Sequence, residues 1–301
     1  MYQSFFGLDE HPFTITPDPR YLFPSVRHGE ALAHLVYGVS QAGGFVQLTG
    51  EVGTGKTTLV RSLLARQWPD IDIALILNPK VTVSEFLLSI CEELGVELAA
   101  EHHGSVKRLV DALTARLLQA NAADRRVAVL IDEAHLLERD VLEQVRLLTN
   151  LETPTRKLLQ IILIGQPELR EMLDRADLRQ VAQRITGRYH LDPLDRDETA
   201  AYVRHRLRVA GARRDIFTPR ALRSLHRLSG GYPRLINVIA DRAMLGAFAR
   251  DRHEVSASLV RAAAAEVRGA TKTANYWAWL AVIATLGLLI AGLAIFLPAV
   301  I

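Results

Sequence analysis

Cysteine is almost missing from this chain: Cys91 is the only one in 301 residues. No disulfide can form within the chain, which excludes a scaffold held by such bridges and fits a reducing compartment for the soluble part. Cys91 lies inside a helical pattern and reads as a buried core thiol. Charge of one sign is also lacking. Thirty-six Lys and Arg face 33 Asp and Glu, a formal net charge of +3, and the cations are mostly arginines spread along the chain, so the composition does not demand nucleic acid. Aromatics are only 6% of the residues. The start, Met1-Tyr2-Gln3-Ser4-Phe5-Phe6, has no basic segment with an apolar run behind it, and no secretory signal is read there. What the chain does have is 49% hydrophobic residues over a length that suggests two globular units.

The most informative stretch begins at Phe45. Phe45 to Thr49 alternate like a short strand, and the turn Gly50-Glu51-Val52-Gly53-Thr54-Gly55-Lys56-Thr57-Thr58 has the full Walker A spacing before a helical run. Gly50, Gly53 and Gly55 allow a tight turn whose amides approach anionic oxygens at a helix N-terminus. Lys56 is placed to reach β- and γ-phosphates, and the Thr57 hydroxyl to ligate Mg²⁺. All nine residues from Gly50 to Thr58 are expected to line the nucleotide's phosphates.

Residues 1–30 carry few helical signals but many aromatics and prolines, reading as an extended wrap that either covers an adenine ring or packs onto the core. A helix pattern from Gly29 to Val39 leads into the first strand. Ile71 to Leu77 reads as a buried parallel strand, Thr82 and Glu85 as a capping box, and Ser105 to Ala120 as a helix. Val127 to Ile131, five apolar residues, delivers Asp132-Glu133 to a strand end in Walker B fashion. Asp132 would bind Mg²⁺ and Glu133 would polarise the attacking water. His135 reads as a structural or coupling residue, not a catalytic one. Asp140 and Glu143 have capping-box spacing. Lys157 to Ile164 is a further strand ending at Gln166, a candidate sensor of the γ-phosphate. Leu169 to Ile185 reads as a helix and Arg188 to Leu194 as the last strand. Strands alternating with helices indicate a parallel α/β sheet.

From Asp195, which has capping-box spacing to Glu198, only helical patterns follow: one from Asp195, one from Thr218-Pro219 to Gly230-Gly231, one opened by Pro233, and one from Ser256 to Val267. Arg204, Arg208, Arg213, Arg214, Arg220, Arg223 and Arg227 give this lid a basic face, read as solvated, with anionic lipid or a protein partner as further options. Trp277 to Leu297 is 21 residues without charge, about 31 Å as a helix and enough to cross a bilayer. Arg261, Arg268 and Lys272 precede it and no Lys or Arg follows, which puts the preceding domain in the cytoplasm.

Phe5-Phe6-Gly7-Leu8, Pro12-Phe13, Thr16-Pro17-Asp18-Pro19-Arg20, His28-x-Glu30-Ala31-Leu32, the stretch Leu48 to Thr58 and Leu159 to Leu169 together resemble the AAA+ ATPases of the general secretion pathway protein A (ExeA) type, over nearly residues 1–297. The resemblance implies a P-loop NTPase (AAA+) α/β core with a C-terminal helical lid and one transmembrane helix: residues 1–194, 195–270 and 276–298. It implies ATP and Mg²⁺ as cofactors, a homo-oligomer (dimer or ring), and a single pass through the bacterial inner membrane. It also implies work with a B-type membrane partner on a type II secretion machine, or on a related pilus or exopolysaccharide system. The peptidoglycan-binding region usual in the family is not carried over, since only three residues follow Pro298. The resemblance further implies that Arg184 in Gln183-Arg184-Ile185 is an arginine finger serving a neighbouring subunit, with Arg188 as the alternative. Arg234 in Gly231-Tyr232-Pro233-Arg234 would be the lid arginine that touches the γ-phosphate. Two rival readings stay open: a DNA-linked ATPase of the transposition type, although nucleic acid is not an expected partner, and a scaffold that binds ATP but scarcely turns over.

Overall fold

The computed structural model describes residues 1–16, 18–40 and 43–269. Pro17, Gln41, Ala42 and residues 270–301 lie outside it, and with them the expected membrane span Trp277 to Leu297. Among the described residues no helix is long and apolar enough to cross a membrane.

Five parallel strands form one sheet: β1 (Phe45–Thr49), β2 (Ile71–Ile76), β3 (Arg126–Ile131), β4 (Leu159–Gly165) and β5 (Ile185–His190), in the order β2-β3-β4-β1-β5. The apolar runs that mark these strands are runs because the inner ones are covered on both faces. Phe45, Val129, Ile131, Ile161 and Leu163 point into one cluster with the helices Val83–Glu93, Val106–Ala122 and Arg139–Leu148. Their strand neighbours Val46, Leu48, Leu130, Ile162 and Ile164 point the other way, against the helices Val26–Ser40 and Lys56–Leu64. Fully burying each large side chain of this kind contributes about 1.5–3 kcal/mol. Because parallel strands run the same way, the ends of β1, β3 and β4 share one edge of the sheet, with β4 between the other two. That geometry sets Gln166 between the Gly50–Thr57 turn and Asp132.

The four lid helices are Arg196–Val209, Pro219–Ser229, Pro233–Phe248 and Ala257–Val267. The capping boxes expected at Thr82/Glu85 and Asp195/Glu198 both form, and Thr218 caps the helix that Pro219 opens. The one expected at Asp140 does not. Asp140 is already inside the helix Arg139–Leu148, whose cap residue Glu138 makes no side-chain bond, and Glu143 pairs instead with Arg146 at 3.0 Å.

Two assignments near the last strand differ from expectation. The helix foreseen from Leu169 to Ile185 breaks at Arg175, whose backbone is extended (φ −63°, ψ 147°). It resumes only as the short pieces Ala176–Leu178 and Arg179–Ala182. The strand foreseen over Arg188 to Leu194 begins at Ile185 and ends at His190; the Leu191 amide still donates to Thr49 O of β1 (2.7 Å), whereas Leu194 belongs to the crossing into the lid, its amide donating to Gly231 O (3.0 Å).

The N-terminal residues also sit elsewhere than a boundary at 194 implies. Tyr2, Phe6, Leu8 and Phe13 are buried among lid side chains such as Val203, Ile236 and Met244. The Tyr2 hydroxyl bonds Asp241, Phe5 stacks on His253, and the Asp9 amide donates to Ala210 O (2.8 Å). Residues 1–13 thus complete the lid, and the chain crosses from lid to sheet over the seam between them.

Gly95 and Gly231 both have positive φ, +68° and +79°, but differ in surroundings. A Cβ on Gly95 would meet nothing within 4 Å, whereas on Gly231 it would lie 2.0 Å from Leu194 O. Gly95→Ala should therefore cost about 1–2 kcal/mol, the penalty of the left-handed backbone alone. Gly231→Ala should cost about 3 kcal/mol or more, because the lid hinge must also shift. Urea unfolding of the two variants measures both, and equal losses would contradict this packing.

Candidate active site

The turn after β1 is where sheet and lid meet. Gly53 and Gly55 take φ of +83° and +107°, and a Cβ on them would strike Arg234 Cβ at 2.7 Å and His28 Nε2 at 3.0 Å; on Gly50 it would strike Leu191 O at 2.7 Å. Only glycine lets the backbone turn and be approached this closely. Lys56 opens the helix Lys56–Leu64 and is buried, its Nζ donating to Gly50 O (2.6 Å) and Glu51 O (3.0 Å). Burial lowers its pKa, while the carboxylates of Glu133, Asp132 and Glu51 oppose that shift.

Asp132, at the end of β3, is buried. One oxygen accepts from the Glu133 amide (2.9 Å) and the other from the Thr57 hydroxyl (3.4 Å). Burial raises its pKa, and the neighbouring Glu133 carboxylate adds to the rise. Thr57 and Asp132, the two expected Mg²⁺ ligands, thus share one point. Among the described residues no cluster of three or more His, Cys, Asp or Glu offers a cage for a metal. Glu133 has a left-handed backbone, φ +51°, a strained setting of the kind that gathers at functional positions.

Lys56, Thr57, Glu133, Gln166 and Arg234 all line one cavity of about 320 Å³, within the ~300–1,000 Å³ usual for small-molecule sites. Arg234 reaches it from the lid: its amide donates to Gly53 O (3.2 Å) while its side chain is exposed. Arg184 is not in this cavity. It precedes β5, at the opposite end of the sheet, half-buried, and donates to Thr149 Oγ1 (2.7 Å) and Arg146 O (3.4 Å), so within its own subunit it closes the end of the helix Arg139–Leu148. Arg188, the alternative, is exposed, with a hydrogen bond to Ala182 O (3.4 Å) and an ion pair to Asp174 (3.9 Å).

Several residues of the site escaped the sequence reading. His28 is buried and its Nε2 lies 3.0 Å from Thr54 O, while its Nδ1 lies 2.8 Å from Ser25 Oγ. Burial lowers its pKa, favouring a neutral ring whose Nε2–H holds the loop carbonyl. Arg206 was passed over between Arg204 and Arg208, although it falls three residues after Val203 on the inner helix face. It is buried without a carboxylate, donating to Pro12 O (2.5 Å), Tyr202 Oη (3.0 Å) and Thr14 O (3.2 Å), with its guanidinium 4.5 Å from the centre of the Tyr21 ring. It pins the N-terminal wrap across the cavity mouth, where Thr14 and Thr16 stand opposite Pro233 and Asn237. Of the two uses foreseen for that wrap, core packing and cover for a base, residues 2–13 serve the first, and Thr14–Thr16 line the cavity.

An ionised Asp132 is a cost to the folded state, because its pKa is raised above the unfolded value. The cost is absent in acid, where the carboxyl is protonated in both states, and sets in as pH rises through the raised folded value. Asp132→Asn should raise the thermal midpoint at neutral pH without nucleotide or Mg²⁺, and the gain should vanish in acid. A neutral-pH midpoint below wild type would contradict the assignment.

Comparison with known proteins gives four findings. A model of the AAA domain matches residues 39–173. The chain is 56% identical over 269 residues to General secretion pathway protein A of Aeromonas hydrophila, covering 89% of this chain and 49% of that protein, so it spans about half of that relative's length. It is 28% identical over 217 residues to Cell division control protein 18 of Schizosaccharomyces pombe, covering 68% of this chain and 36% of that one. Among solved structures, Cdc6p from Pyrobaculum aerophilum superposes with a TM-score of 0.66 at 18% identity, covering 86% of this chain and 71% of that chain. The last likeness establishes the P-loop α/β fold and nothing beyond it.

Proposed function

The chain is of the general secretion pathway protein A type over the length the two share, an AAA protein with a nucleotide-binding fold, and on that premise we propose that it is a membrane-anchored ATPase that uses Mg-ATP hydrolysis to drive assembly of an envelope-spanning secretion machine. The observation that carries the reading is the convergence of Lys56, Thr57, Glu133, Gln166 and Arg234 on one cavity, with Asp132 behind Thr57. Lys56 would exchange its carbonyl partners for β- and γ-phosphate oxygens, and Thr57 and Asp132 would hold Mg²⁺, which would supply charge neutralisation on the transferring phosphoryl group. Glu133 takes up a proton from, or orients, the attacking water, while Gln166 and Arg234 donate to the γ-phosphate as charge develops on it.

The charge-free run Trp277 to Leu297 supports an inner-membrane anchor, and Arg261, Arg268 and Lys272 ahead of it support a cytoplasmic ATPase. The relative's name supports a role in a general secretion pathway, and the reading extends it to a type II secretion machine with a B-type membrane partner, with pilus or exopolysaccharide systems as the alternative. In a dimer or ring, Arg184 leaves Thr149 to serve the neighbour's site, and exposed Arg188 is the second choice.

Lys56→Ala should abolish binding of a fluorescent ATP analogue. Glu133→Gln should keep that binding and lower kcat by about two orders of magnitude or more, since only the group that handles water is changed. Equal loss of affinity in both variants would overturn these roles.

A further inference from the structure

His135 enters none of the steps above, yet it stands between two residues that do. The turn Ala134–Leu136, closed by the Leu136 amide donating to Glu133 O (2.9 Å), carries the imidazole back beneath Glu133. Its side chain is only 11% exposed. Nδ1 lies 3.4 Å from Glu133 Oε2, and Nε2 lies 3.0 Å from Gln166 Nε2. Glu133 Oε2 is itself buried with no hydrogen-bond partner among the described residues, while the carboxylate as a whole remains 41% exposed and lines the cavity. One oxygen is thus turned inward to the imidazole and the rest is open. The end of β4 is pressed against the same turn, because a Cβ on Gly165 would lie 3.2 Å from the His135 amide nitrogen.

We propose that His135 is a positioning residue for ATP turnover, joining the water-handling carboxylate of Glu133 to the amide of Gln166 so that the two are set together. A neutral imidazole has one N–H and one lone pair. With the proton on Nδ1 it donates to the carboxylate, and Nε2 is left to accept from the Gln166 amide. That fixes Gln166 with its NH₂ at the ring, leaving the second N–H of the same group to be donated elsewhere. The Gln166 backbone amide, 3.5 Å from Nδ1, favours the opposite tautomer, and it competes there with the carboxylate oxygen, 3.4 Å from the same nitrogen. The opposite tautomer also sets an Nδ1 lone pair against a carboxylate oxygen, and a hydrogen bond to a charged acceptor is roughly twice as strong as a neutral one. The carboxylate therefore selects the tautomer, and the tautomer selects which end of the Gln166 amide meets the ring. A group that orients the residues acting on the substrate typically matters 10–100-fold.

The inference rests on the ATPase reading, and two measurements separate them. In steady-state assays of the full chain in detergent, His135→Ala should lower kcat by about 10–100-fold with KM and binding of a fluorescent ATP analogue unchanged. His135→Asn, whose amide N–H stands where Nδ1–H stood, should recover part of that loss, and Gln166→Ala should add little to His135→Ala. Wild-type kcat in His135→Ala, or a loss confined to KM, overturns the proposal while leaving the ATPase reading intact. Absence of turnover in the wild-type chain would instead sink the ATPase reading. The link itself is then judged by ¹⁵N chemical shifts of His135: Nδ1–H in wild type, moving toward Nε2–H in Glu133→Ala, supports it, and Nε2–H in wild type refutes it.

Discussion

Everything in this site depends on how the carbonyls of the turn Gly50–Thr54 are held. Lys56 takes Gly50 O and Glu51 O, the Arg234 amide takes Gly53 O, and His28 takes Thr54 O. These three partners come from the turn's own helix, from the lid and from the helix ahead of β1. With its carbonyls engaged by these partners, the turn is held in one shape, and a glycine-rich turn of this kind can form a donor concavity that suits phosphate oxygens. Because one of the three partners is the lid backbone, lid position and loop shape are parts of one equilibrium.

The same pocket holds groups that would be more comfortable elsewhere. Lys56 and Asp132 are both buried, and burial pushes each toward its neutral form. Glu133 adopts a backbone that side chains avoid and turns one oxygen into the protein, 3.4 Å from His135 Nδ1 and with no hydrogen-bond partner among the described residues. Buried cores usually satisfy such groups fully, and their concentration at one sheet edge marks a place where charge is expected to arrive. A metal ion beside Thr57 and Asp132, and phosphate beside Lys56, would relieve both burdens at once.

Much of this was legible in the sequence. The Gly50–Thr58 spacing, the apolar run into Asp132-Glu133, the strand ending at Gln166 and the boxes at Thr82 and Asp195 are local signals, written in spacings of a few residues. What was not legible is tertiary. His28 acts on Thr54, 26 residues away, and nothing in its neighbourhood announces a partner. Tyr2, Phe6 and Phe13 were visible as apolar, but their burial against lid helices 200 residues later follows only from the fold. Arg206 hid among solvated arginines because composition outweighed its place on the inner helix face. The last strand was displaced because Leu194 is buried among lid side chains, while Leu191 still packs against the sheet.

The central claim is that phosphate loop, N-terminal wrap and lid respond to nucleotide as one body, and hydrogen–deuterium exchange on the full chain tests it most directly. With Mg²⁺ and a slowly hydrolysed ATP analogue, amides in residues 50–57, 12–28 and 229–238 should gain protection together and at the same nucleotide concentration. Protection confined to residues 50–57, with the wrap and the start of the helix Pro233–Phe248 unchanged, would contradict the account.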